Sequence, residues 1–124
     1  MSSSSDTTLK IRHTSQVVYV TLPDKSKAYL KYNVENGIMK LIETYTPPQY
    51  RGKGLASLLV KYAVDLAKSN NWLIEPICSY AIYFFMKNPD YRYILIEQYK
   101  KLSEQEWQRL LKEAKLREEQ KKDM

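Results

Sequence analysis

From Val17 to Tyr45 apolar and polar positions alternate, and from about Arg51 the apolar spacing lengthens to that of a helix. Within Leu9 to Val20, the run Val17-Val18-Tyr19-Val20 is rich in strand formers. Leu22-Pro23-Asp24-Lys25 reads as a turn, with Pro fixing φ and Asp able to bond back to the backbone. Ala28, Leu30, Tyr32 and Val34 then alternate with polar neighbours, the pattern of a half-buried strand. Asn36-Gly37 is a hairpin turn signal, and Ile38 to Tyr45 supplies the returning strand. The first third therefore predicts an antiparallel meander of about three strands.

Thr46-Pro47-Pro48 ends the meander, because proline cannot continue a ladder. The helical stripe that follows is Leu55, Leu58, Leu59, Tyr62 and Leu66, widened by Ala56, Ala63 and Ala67. Ser69-Asn70-Asn71 stops it. Trp72-Leu73-Ile74 starts a short strand, parallel to the one before the helix, and Pro76 makes that strand lose ladder bonds as an edge or by splaying. Tyr80 to Lys87 reads as an aromatic helix buried on more than one side. Tyr91 to Glu97 is compatible with a last strand or an irregular return. Ser103 with Glu106 forms a capping box, and Trp107, Leu110, Leu111 and Ala114 give the stripe of a C-terminal helix that packs on the body or on a partner chain. The organisation expected is a disordered segment over 1–8, one domain over 9–102 and a helix with a frayed charged end over 103–124. The fold class expected is α+β (α/β), a mixed sheet of about five strands around a central helix.

Composition narrows the picture modestly. A chain of 124 residues makes one domain the expectation. There is no run of eighteen apolar residues and no signal-peptide pattern, which favours the cytoplasm and no membrane. Cys78 is the one cysteine and His13 the one histidine, a poor basis for a disulfide or a Cys/His zinc site. The net charge of +6 lies mainly between Arg51 and Lys101, suiting a polyanionic cofactor, an acidic substrate or nucleic acid.

The candidate chemistry gathers at Gln49-Tyr50-Arg51-Gly52-Lys53-Gly54-Leu55-Ala56. Glycine permits tight turns and close approach, and the free amides of the first helical turn face an anion. Arg51 and Lys53 add charge at the rim. The same two glycines are also compatible with a plain turn. Cys78 falls where the second parallel strand meets a helix, either as a small buried hydrophobe or as a nucleophile whose thiolate is favoured by free amides. Glu43, on the strand entering the corner, is either a solvated carboxylate or a base with a raised pKa.

The Gln-x-x-Gly-x-Gly spacing of Gln49, Gly52 and Gly54 resembles the signature of the GCN5-related N-acetyltransferase (GNAT) superfamily. Thr44-Tyr45-Thr46-Pro47-Pro48, Arg51-Gly52-Lys53-Gly54-Leu55-Ala56, Pro76-x-Cys78-Ser79-Tyr80 and Asn88-Pro89 narrow the resemblance to the very small acetyltransferase-like proteins, over roughly Ile11 to Ile96. These keep the cofactor half of the fold and lack the usual pair of helices after the first strand. The resemblance implies an acyl-CoA N-acyltransferase-like fold that binds acetyl-CoA, with Gln49, Arg51, Gly52, Lys53, Gly54, Leu55 and Ala56 around the pyrophosphate. Thr46 and Lys87 are added as further cofactor contacts. It implies Tyr80 as the acid that protonates departing coenzyme A, and marks the Cys78 position as a catalytic candidate. Glu43 stands where that subfamily often has histidine, which leaves its acid/base role in question.

The leading expectation is an acetyl-CoA-dependent N-acetyltransferase acting on a small or peptidic amine, by direct transfer or through a Cys78 acetyl-thioester. The alternatives are a coenzyme-A-binding module or subunit without transferase activity and, more remotely, a basic nucleic-acid-binding domain. No single strand or helix carries a stripe of basic and aromatic residues, so nucleic acid is disfavoured as a partner. A homo-oligomer is one source of the missing acceptor wall.

Overall fold

The computed structural model describes residues 10–122, with side chains to residue 120. The N-terminal segment over 1–8 and the last two residues of the C-terminal segment lie outside the described residues. The elements are β1 (Ile11–His13), β2 (Val17–Thr21), β3 (Lys27–Glu35), β4 (Ile38–Tyr45), a 3-10 turn (Pro48–Tyr50), α1 (Leu55–Asn70) and β5 (Leu73–Pro76). They continue with α2 (Ser79–Lys87), a second 3-10 helix (Pro89–Ile94), α3 (Glu97–Lys100) and α4 (Glu104–Lys122). The sheet has five strands in chain order, antiparallel from β1 to β4 and parallel between β4 and β5.

The meander holds four strands rather than three. The Thr14 hydroxyl accepts from the N–H groups of Gln16 and Val17, which breaks the first predicted strand into β1 and β2. The Asp24 turn forms as read: its carboxylate accepts from the Ser26 N–H and hydroxyl. Asn36 and Gly37 both take positive φ, 53° and 78°, the type I′ geometry that matches strand twist.

Ala28, Leu30 and Tyr32 on β3, Val18 and Val20 on β2, and Met39 and Leu41 on β4 form one buried face. Helix α1 covers it with Leu55, Leu59, Val60, Ala63, Val64 and Ala67. Its inward stripe is rotated from the expected one: Leu58 is 47% exposed, while Val60 and Val64 are buried. The ridge spaced by four residues through 55, 59, 63 and 67 sits on the sheet and leaves Leu58 at its edge. The helix ends with Asn71 in the left-handed region and the Trp72 N–H on the Ala67 carbonyl, a Schellman closure.

β4 carries one extra residue. Lys31 pairs with Glu43 and Tyr32 with Leu41, so Ile42 has no opposite number. Thr44 therefore shares the buried face with its partner Leu30, while Glu43 and Tyr45 share the outer face with Lys31 and Tyr29.

The segment after α2 is the irregular return rather than a strand. It coils as a 3-10 helix and touches the sheet through one bridge, Ile74 with Leu95, and the Ile96 N–H on the Ile74 carbonyl. The capping box forms with both bonds, the Ser103 N–H to Glu106 at 2.8 Å and the Glu106 N–H to the Ser103 hydroxyl at 3.2 Å. α4 packs along α2, fixed by fully buried Trp107 and Ala114. Arg92 lies over the Trp107 ring at 4.9 Å and donates to the Phe85 and Met86 carbonyls, tying α4 to the end of α2.

Candidate functional site

The helical spacing suggests a start near Arg51, but α1 begins at Leu55. Residues 51–54 form an open loop because Gly52 and Gly54 take φ of +80° and +81°, where side-chain-bearing residues are strained. Nothing lies within 4 Å of where a Cβ would stand on either glycine, so backbone shape and not crowding selects them. The Tyr50 and Arg51 N–H groups bond to the Pro47 and Pro48 carbonyls. The next six, from Gly52 to Ser57, find no backbone acceptor among the described residues. They stand at the positive end of a 16-residue helix, and Gly52, Gly54, Ala56 and Ser57 line an open cleft. Charge, donors and open space fit a diphosphate.

Beside this loop the sheet forks. β4 and β5 stay paired as far as Leu41 and Pro76, and the Ile77 and Cys78 N–H groups both close onto the Leu41 carbonyl at 3.0 Å. Beyond Leu41, β4 follows β3 alone. The ring of Pro76, which has no N–H, sits at the branching point. Across the fork, Thr44 Oγ1 lies 3.1 Å from Cys78 Sγ. The cleft between loop and fork, about 700 Å³, is lined by Thr44, Thr46, Arg51, Gly52, Gly54, Ser57, Tyr80 and Glu118 among others.

A family model described as GCN5-related N-acetyl-transferase matches residues 18–94, the span from β2 to the second 3-10 helix. The chain belongs to that family. Its fold is also similar to the solution structure of a GCN5-like protein from Staphylococcus aureus, with a TM-score of 0.55 and 24% identity over 71% of this chain and 88% of that one. The mixed sheet, the glycine loop and the helix it opens are thus this family's acyl-CoA N-acyltransferase-like architecture.

Within this GCN5-related scaffold, the expected site residues are distributed unevenly. Tyr80, in the first turn of α2, lines the cleft with its hydroxyl beside Ser57, and burial pushes its pKa above the usual 10.0. Thr46 and Ala56 line the cleft as well. Arg51 stands at the rim, but its Nε donates to the Thr46 carbonyl at 2.8 Å and its guanidinium lies over the Tyr45 ring at 5.9 Å. Gln49 donates to Asp24 at 2.8 Å, so its side chain pins the loop to the β2–β3 turn. The side chain of Leu55 is buried in the core, and Lys53 is exposed at the loop tip. Lys87 is at the far end of α2 over Tyr83, remote from the loop.

For two of the candidate residues the surroundings favour the structural reading over the chemical one. The Cys78 thiol is 5% exposed, and burial raises its pKa above the usual 9.0. Thr44 and the amides of Ala81 and Tyr80 pull the other way but do not offset desolvation, while Glu118 raises it further. The thiolate is disfavoured rather than favoured. Glu43 is exposed on the outer face of the sheet, opposite to Cys78, where it accepts from Tyr29 at 3.2 Å and faces Lys31 at 3.7 Å. Apolar enclosure is absent there.

Sequence reading missed α4's contribution. The Glu118 carboxylate accepts from the Ser79 N–H at 2.8 Å and the Ser79 hydroxyl at 2.7 Å, capping α2 from another helix. Arg117 donates to the Ile77 carbonyl at 3.0 Å. Together they clamp both sides of Cys78. A signal existed: 107, 111, 114 and 118 continue one helical stripe, so a carboxylate stood at an inward position.

Proposed function

We propose that this protein is an acetyl-CoA-dependent N-acetyltransferase that moves the acetyl group directly to a cationic amine of a small molecule or peptide. The observation that carries the reading is the run of unpartnered N–H groups from Gly52 to Ser57, opening on the cleft that also holds Tyr80. Acetyl-CoA supplies an activated thioester. The loop amides hold its diphosphate, with Lys53 adding charge at the rim, and the α1 dipole acts in the same direction. The fork beyond Leu41 leaves room for an extended thioester arm to run beside β4.

The environments of the side chains support direct transfer. The bound ammonium first loses one proton to water, and the neutral nitrogen then bonds to the acetyl carbon as the carbon–sulfur bond breaks. Tyr80, kept protonated by burial, gives its proton to the leaving sulfur, and the amine's surplus proton passes to water. Cys78, held as a buried thiol behind Thr44, supports the wall rather than carrying the acetyl group. Glu118 is the one carboxylate lining the cleft among the described residues, and it draws an ammonium group toward the thioester end.

The test combines a thermal melt with a transfer assay on the full chain. Coenzyme A and acetyl-CoA should both raise the melting temperature, and thiol release from acetyl-CoA should rise on adding diamines or lysine peptides. Stabilisation by both ligands without amine-dependent thiol release would favour the alternative, a coenzyme-A-binding module. No stabilisation by either would remove the cofactor assignment.

A further inference from the structure

The outer face of the sheet, turned away from α1, has an order that runs across the strands. Arg12 on β1 is directly opposite Tyr19 on β2, Tyr19 is opposite Tyr29 on β3, and Tyr29 is opposite Tyr45 on β4. The Tyr29 and Tyr45 rings have centroids 5.5 Å apart, and the Arg51 guanidinium lies over Tyr45 at 5.9 Å. The result is a single row, Arg–Tyr–Tyr–Tyr–Arg, about 14 Å from Arg12 to Tyr45 at the usual strand spacing. Lys27 and Lys31 flank it on the same face, with Lys31 over the Tyr29 ring at 5.7 Å. Glu43, paired to Lys31, is the acid beside the row. Tyr19, Tyr29, Lys27 and Lys31 line a shallow groove of about 1040 Å³, larger than the cofactor cleft and separate from it.

We propose that this face binds single-stranded nucleic acid, with bases stacked on the tyrosine row and phosphates held by Arg12, Lys27 and Lys31. Flat aromatic rings at strand spacing, edged by cations, are what a chain of planar bases joined by anions requires, whatever the base sequence. A second copy of the protein is a poorer occupant. A two-fold contact would set Arg12, Lys27 and Lys31 against the same cations. A duplex is poorer too, because its bases are not free to stack. The inference is independent of acetyl transfer, since Arg12, Tyr19, Lys27, Tyr29 and Lys31 do not line the cofactor cleft, which the row touches only at its Tyr45 and Arg51 end.

The test is fluorescence anisotropy of a labelled oligo(U) of about 12 nucleotides with the full chain. Binding should weaken as salt rises, with a log–log slope of roughly −0.7 per phosphate contact. Tyr19→Ala and Tyr29→Ala should each weaken it about five-fold or more, with the phenylalanine variants within about two-fold of the parent. Lys31→Ala should reduce the salt slope by roughly 0.7. Any one of three results would overturn the proposal: no binding at about 50 mM salt by a protein whose melt is intact, equal or tighter binding of a duplex, or affinity indifferent to both tyrosines. A concentration-dependent dimer broken by Tyr19→Glu would reassign the face to self-association.

Discussion

Thr44 Oγ1 stands 3.1 Å from Cys78 Sγ, linking the two strands where their backbones have already parted. The contact fills the crotch of the fork with one hydroxyl and one thiol and keeps the thiol out of water. A nucleophilic cysteine needs its thiolate, and this one is held back from ionising. Cys78→Ala should therefore retain transfer activity. Alkylation by iodoacetamide should be slow near neutral pH. The folded thiol's pKa lies above that of the unfolded chain, so the folded state keeps its proton longer. Stability from this group is intact below about pH 9 and falls as pH climbs toward the folded value. Chemical denaturation of parent and Cys78→Ala from neutral to alkaline pH checks the sign; a thiol that reacts rapidly at neutral pH contradicts it.

Gly54 should separate backbone strain from ligand contact. Its φ of +81° costs a side-chain-bearing residue about 1–2 kcal/mol. Gly54→Val should lower stability by about that much and abolish stabilisation by coenzyme A. Gly54→Asn, which tolerates the left-handed region, should melt near the parent temperature yet show a smaller ligand shift, because the added Cβ enters the open space above the loop.

The two expected proton-transfer residues should behave differently. Tyr80→Phe should lower kcat by about 100-fold with little change in the KM for acetyl-CoA. With Tyr80 present, the rate should fall on the alkaline side only above pH 10.0, since the hydroxyl's pKa is raised. Glu43→Gln alters an exposed group on the other face of the sheet and should leave kcat/KM within about two-fold. A large loss with Glu43→Gln would place the acceptor on that face.

Glu118 joins helix capping to acceptor binding. Glu118→Ala removes both oxygens from Ser79 and should cost about 0.5–2 kcal/mol of stability. Glu118→Gln keeps an acceptor for the Ser79 N–H but loses the charge. It should raise the KM for the amine while leaving the coenzyme A melting shift unchanged. Initial-rate kinetics with one cationic and one neutral amine make the comparison.

Trp107 is the far end of the same lever. Truncation of this fully buried ring, Trp107→Ala, should cost about 3–5 kcal/mol and loosen α4, and so weaken amine binding as Glu118→Ala does. The indole N–H is buried with no partner among the described residues. Trp107→Phe removes that orphaned donor and should lose much less. Thermal melts of the two variants decide between these costs.

What was legible in the sequence was local. The Gly52/Gly54 loop, the Asn36-Gly37 turn and the Ser103/Glu106 box are each set by neighbours a few positions apart, and they form as read. What escaped depends on distant pairing. Glu118 meets Ser79 across 39 positions. The tyrosine row belongs to no segment, because it runs at right angles to the chain and exists only once the strand register is fixed. The split of β1 from β2 rests on one hydroxyl, Thr14, bonding locally within a stretch read only as rich in strand formers. The sequence left two readings of Glu43 open because Ile42 and Tyr45 lie near it along the chain, while its neighbours on its side of the sheet are Lys31 and two tyrosines.

The unpaired Ile42 has a consequence for how this strand tolerates change. It acts as a parity setter: upstream, odd-numbered positions look inward, and downstream, even-numbered ones do. Ironing out the bulge, so that this residue pairs in plain alternation, would send the carboxylate toward the thiol and turn the hydroxyl out to solvent, with every letter kept. Whether that one extra residue is bulged or paired, more than the chemistry of any one side chain, determines which functional group the fork presents.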